Sequence, residues 1–394
     1  MEAENVISKS SVPFWRNERV LQVLGQVIFF LLVFLSGYYI YSNMLVGLQK
    51  QGTTLGFSFI TGLAGFDIGE SLMEYTRESS YLQAFQVGLL NTLFVSGVGI
   101  LFSTILGIIL GVARLSANFL VNRLAAFYLE LMRNLSLLVF LIFWYLAVFL
   151  KLPKVKEAII WPGQIFWTNR GIGIPWGIPT DSFPAYCWIL FFSLLLAIGV
   201  GYGLYERGRR TGRPPLTLLW MALTFLAAAA IGWFALPRPP FEWNFPYVKG
   251  LNLSGGKIIS PEFMALTSGL VLYTAAFVGE VVRAGIQSVS KGQVEAARAL
   301  GLNGFQTLHL VIFPQAMRVI VPPLTSQYLN LAKNSSLAVA IGYPDLFYVS
   351  STIINQSGRA VEMIALVMLT YLAMSLLTSA FMNWYNQKIR LVER

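Results

Sequence analysis

The stretch SKGQVEAARALGLNGFQTLHLVIFPQAMR, Ser290 to Arg318, decides how the rest of the chain is read. It lies between two strongly apolar segments and is polar and regular enough for an exposed helix followed by a turn. Ser290 is placed to cap a helix whose N3 residue is Gln293, each side chain satisfying a backbone donor of the other in a capping box. Gly301 is placed to end that helix in the left-handed conformation, which costs glycine least. Between them Glu295, Ala296, Ala297 and Arg298 fit a helix of ~3 turns whose alanines let another surface come close. So short a helix needs a partner. These residues alone suit either a solvated loop helix between membrane spans or a docking helix.

Apolar residues make up 56% of the 394 and Asp, Glu, Lys and Arg only 12%, about half the charged share of a soluble domain. With a mean hydropathy of +0.64, this is the composition of an integral membrane protein. The net charge of +10 does not point to nucleic acid, because the basic residues fall between apolar segments. One cysteine, Cys187, excludes an internal disulfide, and with one histidine, His309, it makes no structural zinc site, so no metal site is expected. Lys9, Arg16 and Arg19 precede an apolar run too long for a signal-peptide core and without a small-residue cleavage pattern, so it reads as a retained first span.

About 20 apolar residues cross ~30 Å of hydrocarbon. Eight segments qualify, roughly Val20 to Tyr41, Ala84 to Ala113, Leu124 to Leu150, Ala185 to Tyr205, Leu216 to Leu236, Phe263 to Ile286, Val319 to Ile341 and Val361 to Trp384. Short cytoplasmic loops collect Lys and Arg. Arg16 and Arg19, Arg114 and Arg123, Arg207, Arg209, Arg210 and Arg213, Lys291 and Arg298, and Lys388, Arg390 and Arg394 all fall on one side if the spans alternate. Both termini and the Ser290 stretch are therefore expected in the cytoplasm. The opposite loops are longer and rich in Gly, Pro and aromatic residues: Leu55 to Ser80 carries GFDIGESLMEY, and Lys151 to Pro184 contains WTNRGIGIPWGIP, with too many helix breakers for a ninth span. Trp161, Trp167, Trp176 and Trp243 suit an interfacial belt.

Ionisable groups inside spans cost ~2.5 to 3.5 kcal/mol each on insertion scales, so each needs a reason. Glu130 with Arg133, and Glu280 with Arg283, are spaced i, i+3, which puts acid and base on one helix face. Each pair is either self-neutralising, its arginine snorkelling to the interface, or part of a polar layer in which the two pairs face each other around a pathway. In the seventh span Ser326, Gln327, Asn330, Lys333 and Asn334 share an arc of about 120° at 100° per residue, opposite Leu324, Tyr328, Leu331 and Ala332. Such a stripe does not face lipid; it lines a cavity or joins helices or subunits. Lys333 is suited to attract a carboxylate, and Asn330 or Asn334 to bond either end of a zwitterion. Pro322 and Pro323 are expected to bend that span or loosen its backbone bonds. Gly107 and Gly111 have a GxxxG spacing that serves tight packing within the subunit as well as dimerisation.

There is no G-x-x-x-x-G-K-[ST] and no obvious His-based triad, so neither a phosphate-cradling loop nor an enzyme is read from the chain. The segment EAARALGLNGFQTLHLVIFP resembles the EAA loop of bacterial ATP-binding-cassette (ABC) importer permeases: E-A-A, three residues, Gly, nine residues, I-x-L-P. Glu295, Ala296, Ala297, Gly301 and Pro314 match in spacing, with Val311 and Phe313 for Ile and Leu. GLLNTLFVS, ARLSAN, YLELMRNLSLL and PPLTSQYLNLAKNSSLAVAIG resemble the polar-amino-acid branch of these permeases. The eight spans and GFDIGESL are similar to the Q-type permeases of general L-amino-acid transporters. Ser136 stands where the branch has a proline, which predicts a weaker helix bend.

The resemblance implies an all-α integral membrane fold of the type I ABC importer permease class with about eight transmembrane helices. Residues 1–83 would form an N-terminal span with its periplasmic loop. Residues 84–394 would form the permease domain, with an inserted pair of spans at about 185–236. It implies a bacterial inner-membrane, multi-pass protein that imports L-amino acids with three partners: a homologous permease in a heterodimer, a cytoplasmic ABC ATPase dimer, and a periplasmic amino-acid-binding protein. ATP and Mg would sit on the ATPase, leaving no cofactor in this chain. Gln293, Glu295, Ala296, Ala297 and Gly301 would form the coupling helix that enters a cleft in the ATPase. The proposed substrate pathway, read from the residues themselves, is Ser326, Gln327, Asn330, Lys333, Asn334, Glu130, Arg133, Glu280 and Arg283. The competing readings are an ion- or proton-coupled secondary transporter of small zwitterions with Glu130 and Glu280 as relays, and a membrane scaffold that transports nothing.

Overall fold

The computed structural model describes residues 18–50, 52, 55–211 and 216–389. Lys9, Arg16, Arg213, Arg390 and Arg394, used above to read topology, lie outside them. The chain divides into two compact units, Met1–Gly62 and Leu63–Arg394. The first contains helix α1, Glu18–Lys50, apolar on every face and exposed throughout most of its length. The first also holds a short 3-10 turn, Ser58–Thr61, and the second carries the elements that follow.

In the second unit the apolar runs become α2 (Tyr81–Ala113), α3 (Phe119–Asn134), α4 (Leu137–Phe143), α5 (Phe183–Thr211), α6 (Thr217–Ala235), α7 (Pro261–Gln287), α8 (Lys291–Ala299), α9 (Gly304–Thr307), α10 (Phe313–Asn334), α11 (Leu346–Ser357) and α12 (Ala360–Ile389). Across the described residues seven helices are long and apolar enough to span, or eight if the bent pair α3 and α4 counts as one. That pair is the expected third span, and it turns by 104°. The weaker bend expected from Ser136 is therefore not found. Leu135 and Ser136 are extended (φ −85°, ψ 144° and φ −71°, ψ 124°). Asn134 Nδ2 donates back to the Glu130 carbonyl at 2.7 Å, meeting an acceptor at the end of α3. An asparagine that competes for helix carbonyls ends the helix without a proline.

Helix α7 is the spine, packed on α2, α3, α4 and α10. Its contact with α2 settles the use of the GxxxG spacing. A Cβ on Gly107 would lie 2.5 Å from Val278 Cγ1, and one on Gly111 would lie 2.7 Å from the Gly279 carbonyl oxygen. The glycines therefore serve packing inside the subunit. Two cores flank this line: Val95, Leu129, Leu141, Leu266 and Leu270 on one side, and Val278, Val282, Ile320, Val321, Leu324 and Met382 on the other. Helix α10 runs through Pro322 and Pro323, leaving the Arg318 and Val319 carbonyls without their i+4 amide donors.

The Lys151 to Pro184 loop, which holds no ninth span, and the segment before α7 form short antiparallel ladders. Strands β1 (Ile159–Trp161), β2 (Ile165–Thr168), β3 (Gly171–Ile174), β4 (Trp176–Pro179), β5 (Phe241–Asn244), β6 (Tyr247–Lys249), β7 (Asn252–Ser254) and β8 (Lys257–Ile259) pair as β1-β2-β3-β8, β4-β5 and β6-β7. Trp176 opposes Asn244 and Pro179 opposes Phe241, so the chain entering α5 and leaving α6 is held at one place.

Replacing Gly111 by Leu forces side-chain atoms into the α7 backbone, a misfit of the kind that costs ~1–3 kcal/mol or more. Gly111→Leu is expected to lower the melting temperature of the detergent-solubilised protein by several degrees, whereas the same change at the unhindered Gly97 is not.

Candidate functional site

Three features stand at different depths of the second unit. At one end, α8 presents Gln293, Glu295 and Ala296 to the exterior while Ala297 is 3% exposed and seats the helix. The capping box expected at Ser290 is absent: Ser290 occupies the N-cap position with no side-chain bond, and only its carbonyl receives the Gln293 amide, at 3.1 Å. The reciprocal box forms instead at the next helix, between Asn303 and Gln306. Gly301 does end α8 with φ +79°. Its amide donates to the Arg298 carbonyl at 2.9 Å and that of Leu302 to Ala297 at 3.2 Å, the paired bonds of a Schellman stop. Beside it Leu300 and Phe305 are 83% and 77% exposed. Apolar surface rimmed by Glu295 and Gln293 is the character of a protein-docking patch. The sequence reading did not pick out these two; their signal was apolar residues flanking a glycine stop.

In the middle, Gln327, Asn330 and Asn334 of α10 line a cavity of about 270 Å³ with Tyr273, Thr274 and Phe277 of α7. Ser326 and Lys333 are exposed on the flank of the same stripe and do not line it. Leu324 is buried in the second core, whereas Leu331, expected on the opposite side, is buried but lines the same cavity, because it lies only one helical turn from Gln327 and Asn334. Tyr328 hydrogen-bonds Thr104 at 2.8 Å. The Tyr273 and Phe277 rings are 5.0 Å apart. They lie on the α7 face that carries Glu280 one turn later, and this i, i+4, i+7 spacing was the sign that was overlooked.

The two acid–base pairs differ. Arg283 holds Glu280 at 2.5 Å and also donates to Gln287 Oε1 at 2.6 Å. Glu130 and Arg133 are both exposed and form no ion pair with each other among the described residues. At the far end, Ser260 caps α7 by accepting the Phe263 amide (3.0 Å) and donates to Glu70 Oε2 (2.6 Å). Asn91 Nδ2 donates to the Glu70 and Pro344 carbonyls at 2.8 and 2.9 Å. These bonds fasten the GFDIGESL loop to α2, α7 and the turn before α11, around a cavity of about 310 Å³.

A bundle with a polar-lined cavity at mid-span and a short exposed helix at one end has the make-up of a membrane transport subunit. The comparisons refine that class. The profile of the binding-protein-dependent transport system inner membrane components matches residues 103–391, and the chain belongs to that family. It is 43% identical to a general L-amino acid transport system permease protein of Rhizobium johnstonii, over 89% of this chain and 88% of the relative. It is 39% identical to a glutamate/glutamine/aspartate/asparagine transport system permease protein of Rhodobacter capsulatus, over 92% of each. A crystal structure of an amino acid ABC transporter with histidines aligns at 20% identity and a TM-score of 0.46, over 78% of this chain and 95% of that one.

Burial pushes the Glu70 carboxyl above its ordinary value of 4.5, against the pull of the Ser260 hydroxyl and Lys257. The folded state then holds this proton more tightly than the unfolded chain, so Glu70 stabilises the fold fully below pH 4.5 and that contribution is lost as pH rises through the raised value. Glu70→Gln is expected to flatten the fall in melting temperature between pH 4.5 and neutrality, measured by intrinsic fluorescence.

Proposed function

We propose that this chain is a permease subunit of an ATP-driven importer of L-amino acids in the bacterial inner membrane. It would work by alternating access beside a homologous second permease, above a cytoplasmic ABC ATPase dimer and below a periplasmic amino-acid-binding protein. The observation that carries the reading is the polar line of α10. Exposed Ser326, Asn330 and Lys333 on a membrane-spanning helix need cover that lipid does not give. A second permease facing this stripe would enclose a path whose walls bear a cation for the carboxylate and amides for the ammonium of a zwitterion. The relatives' names support the substrate class.

ATP and Mg belong to the ATPase, since the chain has no phosphate-binding loop. Gln293, Glu295, Ala296, Ala297 and Gly301 supply the coupling helix, with Leu300 and Phe305 as its apolar edge. On this reading α8 and both termini are cytoplasmic. ATP-driven closure of the ATPase dimer would move α8 and, through it, α7 and α10, whose ends it joins. Glu280 and Arg283 would form a charged collar one turn below the cavity, with Arg133 facing it. Family membership does not favour the ion-coupled alternative, which would transport alone and without ATP.

Two experiments test the assignment. Lys333→Ala is expected to cut ATP-driven uptake by roughly tenfold, ~1.4 kcal/mol, while subunit assembly stays intact; unchanged transport kinetics would remove Lys333 from the pathway. Glu295→Lys and Gly301→Asp are expected to reduce co-purification of the ATPase. Glu295→Lys reverses an exposed charge, and Gly301→Asp puts a side chain at φ +79°, where left-handed backbone costs an L residue ~1–2 kcal/mol. Undiminished association in both would contradict a docking role for α8.

A further inference from the structure

At the end of the bundle that carries α8, the spans do not close on one another. Helices α2, α7, α10 and α12 surround a cavity of about 440 Å³, inside the ~300–1,000 Å³ range of ligand sites. Its walls are apolar, with Val282, Met317 and Ile320 inside and Phe381 and Tyr385 at the rim. The two polar side chains at its deep end, Thr104 and Tyr328, are bonded to each other at 2.8 Å and ask nothing of an occupant. All four walls are helices of spanning length and hydropathy, so the medium at the mouth is hydrocarbon.

The dimensions fit one leaflet. On α2 the lining runs from Thr104 to Val112 and on α7 from Val278 to Ile286, ~12 Å at 1.5 Å per residue, close to half of a ~30 Å hydrocarbon layer. Beyond Tyr385, at the outer end of the cavity, Lys388 stands over the Trp384 ring at 4.1 Å. An aromatic ring and a lysine at a span's end mark the headgroup level. Among the described residues no carboxylate forms an ion pair with Lys388.

We propose that this cavity binds an acyl chain of an anionic phospholipid from the leaflet on the α8 side, with the phosphate paired to Lys388. The chain fills the gap between α10 and α12 beside Leu308 and Ile312, in the segment that joins α9 to α10, and beside Phe313 at the start of α10. The lipid is then a structural part of the joint next to the docking helix. The inference stands apart from the substrate and from the ATPase, since it needs only the cavity and its depth.

The test uses the full-length protein in nanodiscs of phosphatidylcholine and phosphatidylglycerol with trace phosphatidylglycerol bearing a diazirine in its acyl chain. Photolabelled peptides are then mapped by mass spectrometry. The expected result is labelling concentrated at 308–320 and 381–385, reduced about tenfold by Met317→Trp, which fills the cavity, and unaltered by Leu369→Trp on the exposed face of α12. Lys388→Gln is expected to abolish the preference of the site for phosphatidylglycerol over phosphatidylcholine. Even labelling of all exposed spans, indifferent to Met317→Trp, would overturn the proposal by showing only annular lipid. So would cross-linking of a photoreactive residue placed at Met317 to another protein subunit, because a helix would then occupy the space. If Met317→Trp fails to elute as a monodisperse peak, Ile312→Phe fills the same cavity from its other end and gives the same readout.

Discussion

The rest of the structure depends on the approach of α2 to α7 at Gly107, Gly111 and Gly279, close enough that a Cβ at either α2 position would meet α7 backbone or side chain below 3.0 Å. Between helices in lipid the hydrophobic effect is spent, and association rests on van der Waals contact and a few hydrogen bonds. Small residues at the crossing are what make that contact large enough. With α2 fixed against one face, α7 offers Ala316 and Ile320 of α10 a seat at Gly285 and Leu141 of α4 one at Gly269. The face left over bears Tyr273, Phe277 and Glu280, and this is where the polar groups gather.

Most spans were legible because a run of about 20 apolar residues has few other uses. The stripe from Ser326 to Asn334 was legible from helical period alone, and Gly301 from the conformation only glycine takes cheaply. The capping box was misassigned because the polar pair Ser290 and Gln293 and the polar pair Asn303 and Gln306 have the same spacing, and only the second closes. The bend at Leu135 was underestimated because it was tied to a proline, whereas Asn134 ends the helix by taking a carbonyl for itself. The ladders were invisible: their strands are three or four residues long, and β4 finds β5 across two whole spans. No local pattern announces a pairing of that kind.

The functional elements are distributed along one axis. The loop fastened through Glu70 is at one end of α7, the cavity between α7 and α10 is along it, and α8 is at the other. What joins α9 to α10 is a wide turn, Leu308–Ile312, in which the Phe313 amide bonds to the Leu308 carbonyl five residues back. Such turns interrupt regular helix and are frequent at functional positions. Here one stands between α8 and the polar line of α10, with the chain of α10 made looser again at Pro322 and Pro323.

The β4–β5 ladder bears on how the inserted spans relate to the rest. Pro179 and Phe241 are cross-strand neighbours, and residues opposite each other on paired strands have Cα atoms only ~4.5–5.5 Å apart. The whole excursion through α5 and α6 therefore leaves and returns at a single point on the surface of the unit. Its two helices pack chiefly on each other. Such a hairpin is a branch on a continuous trunk: the trunk's chain path would close with a turn of a few residues in its place.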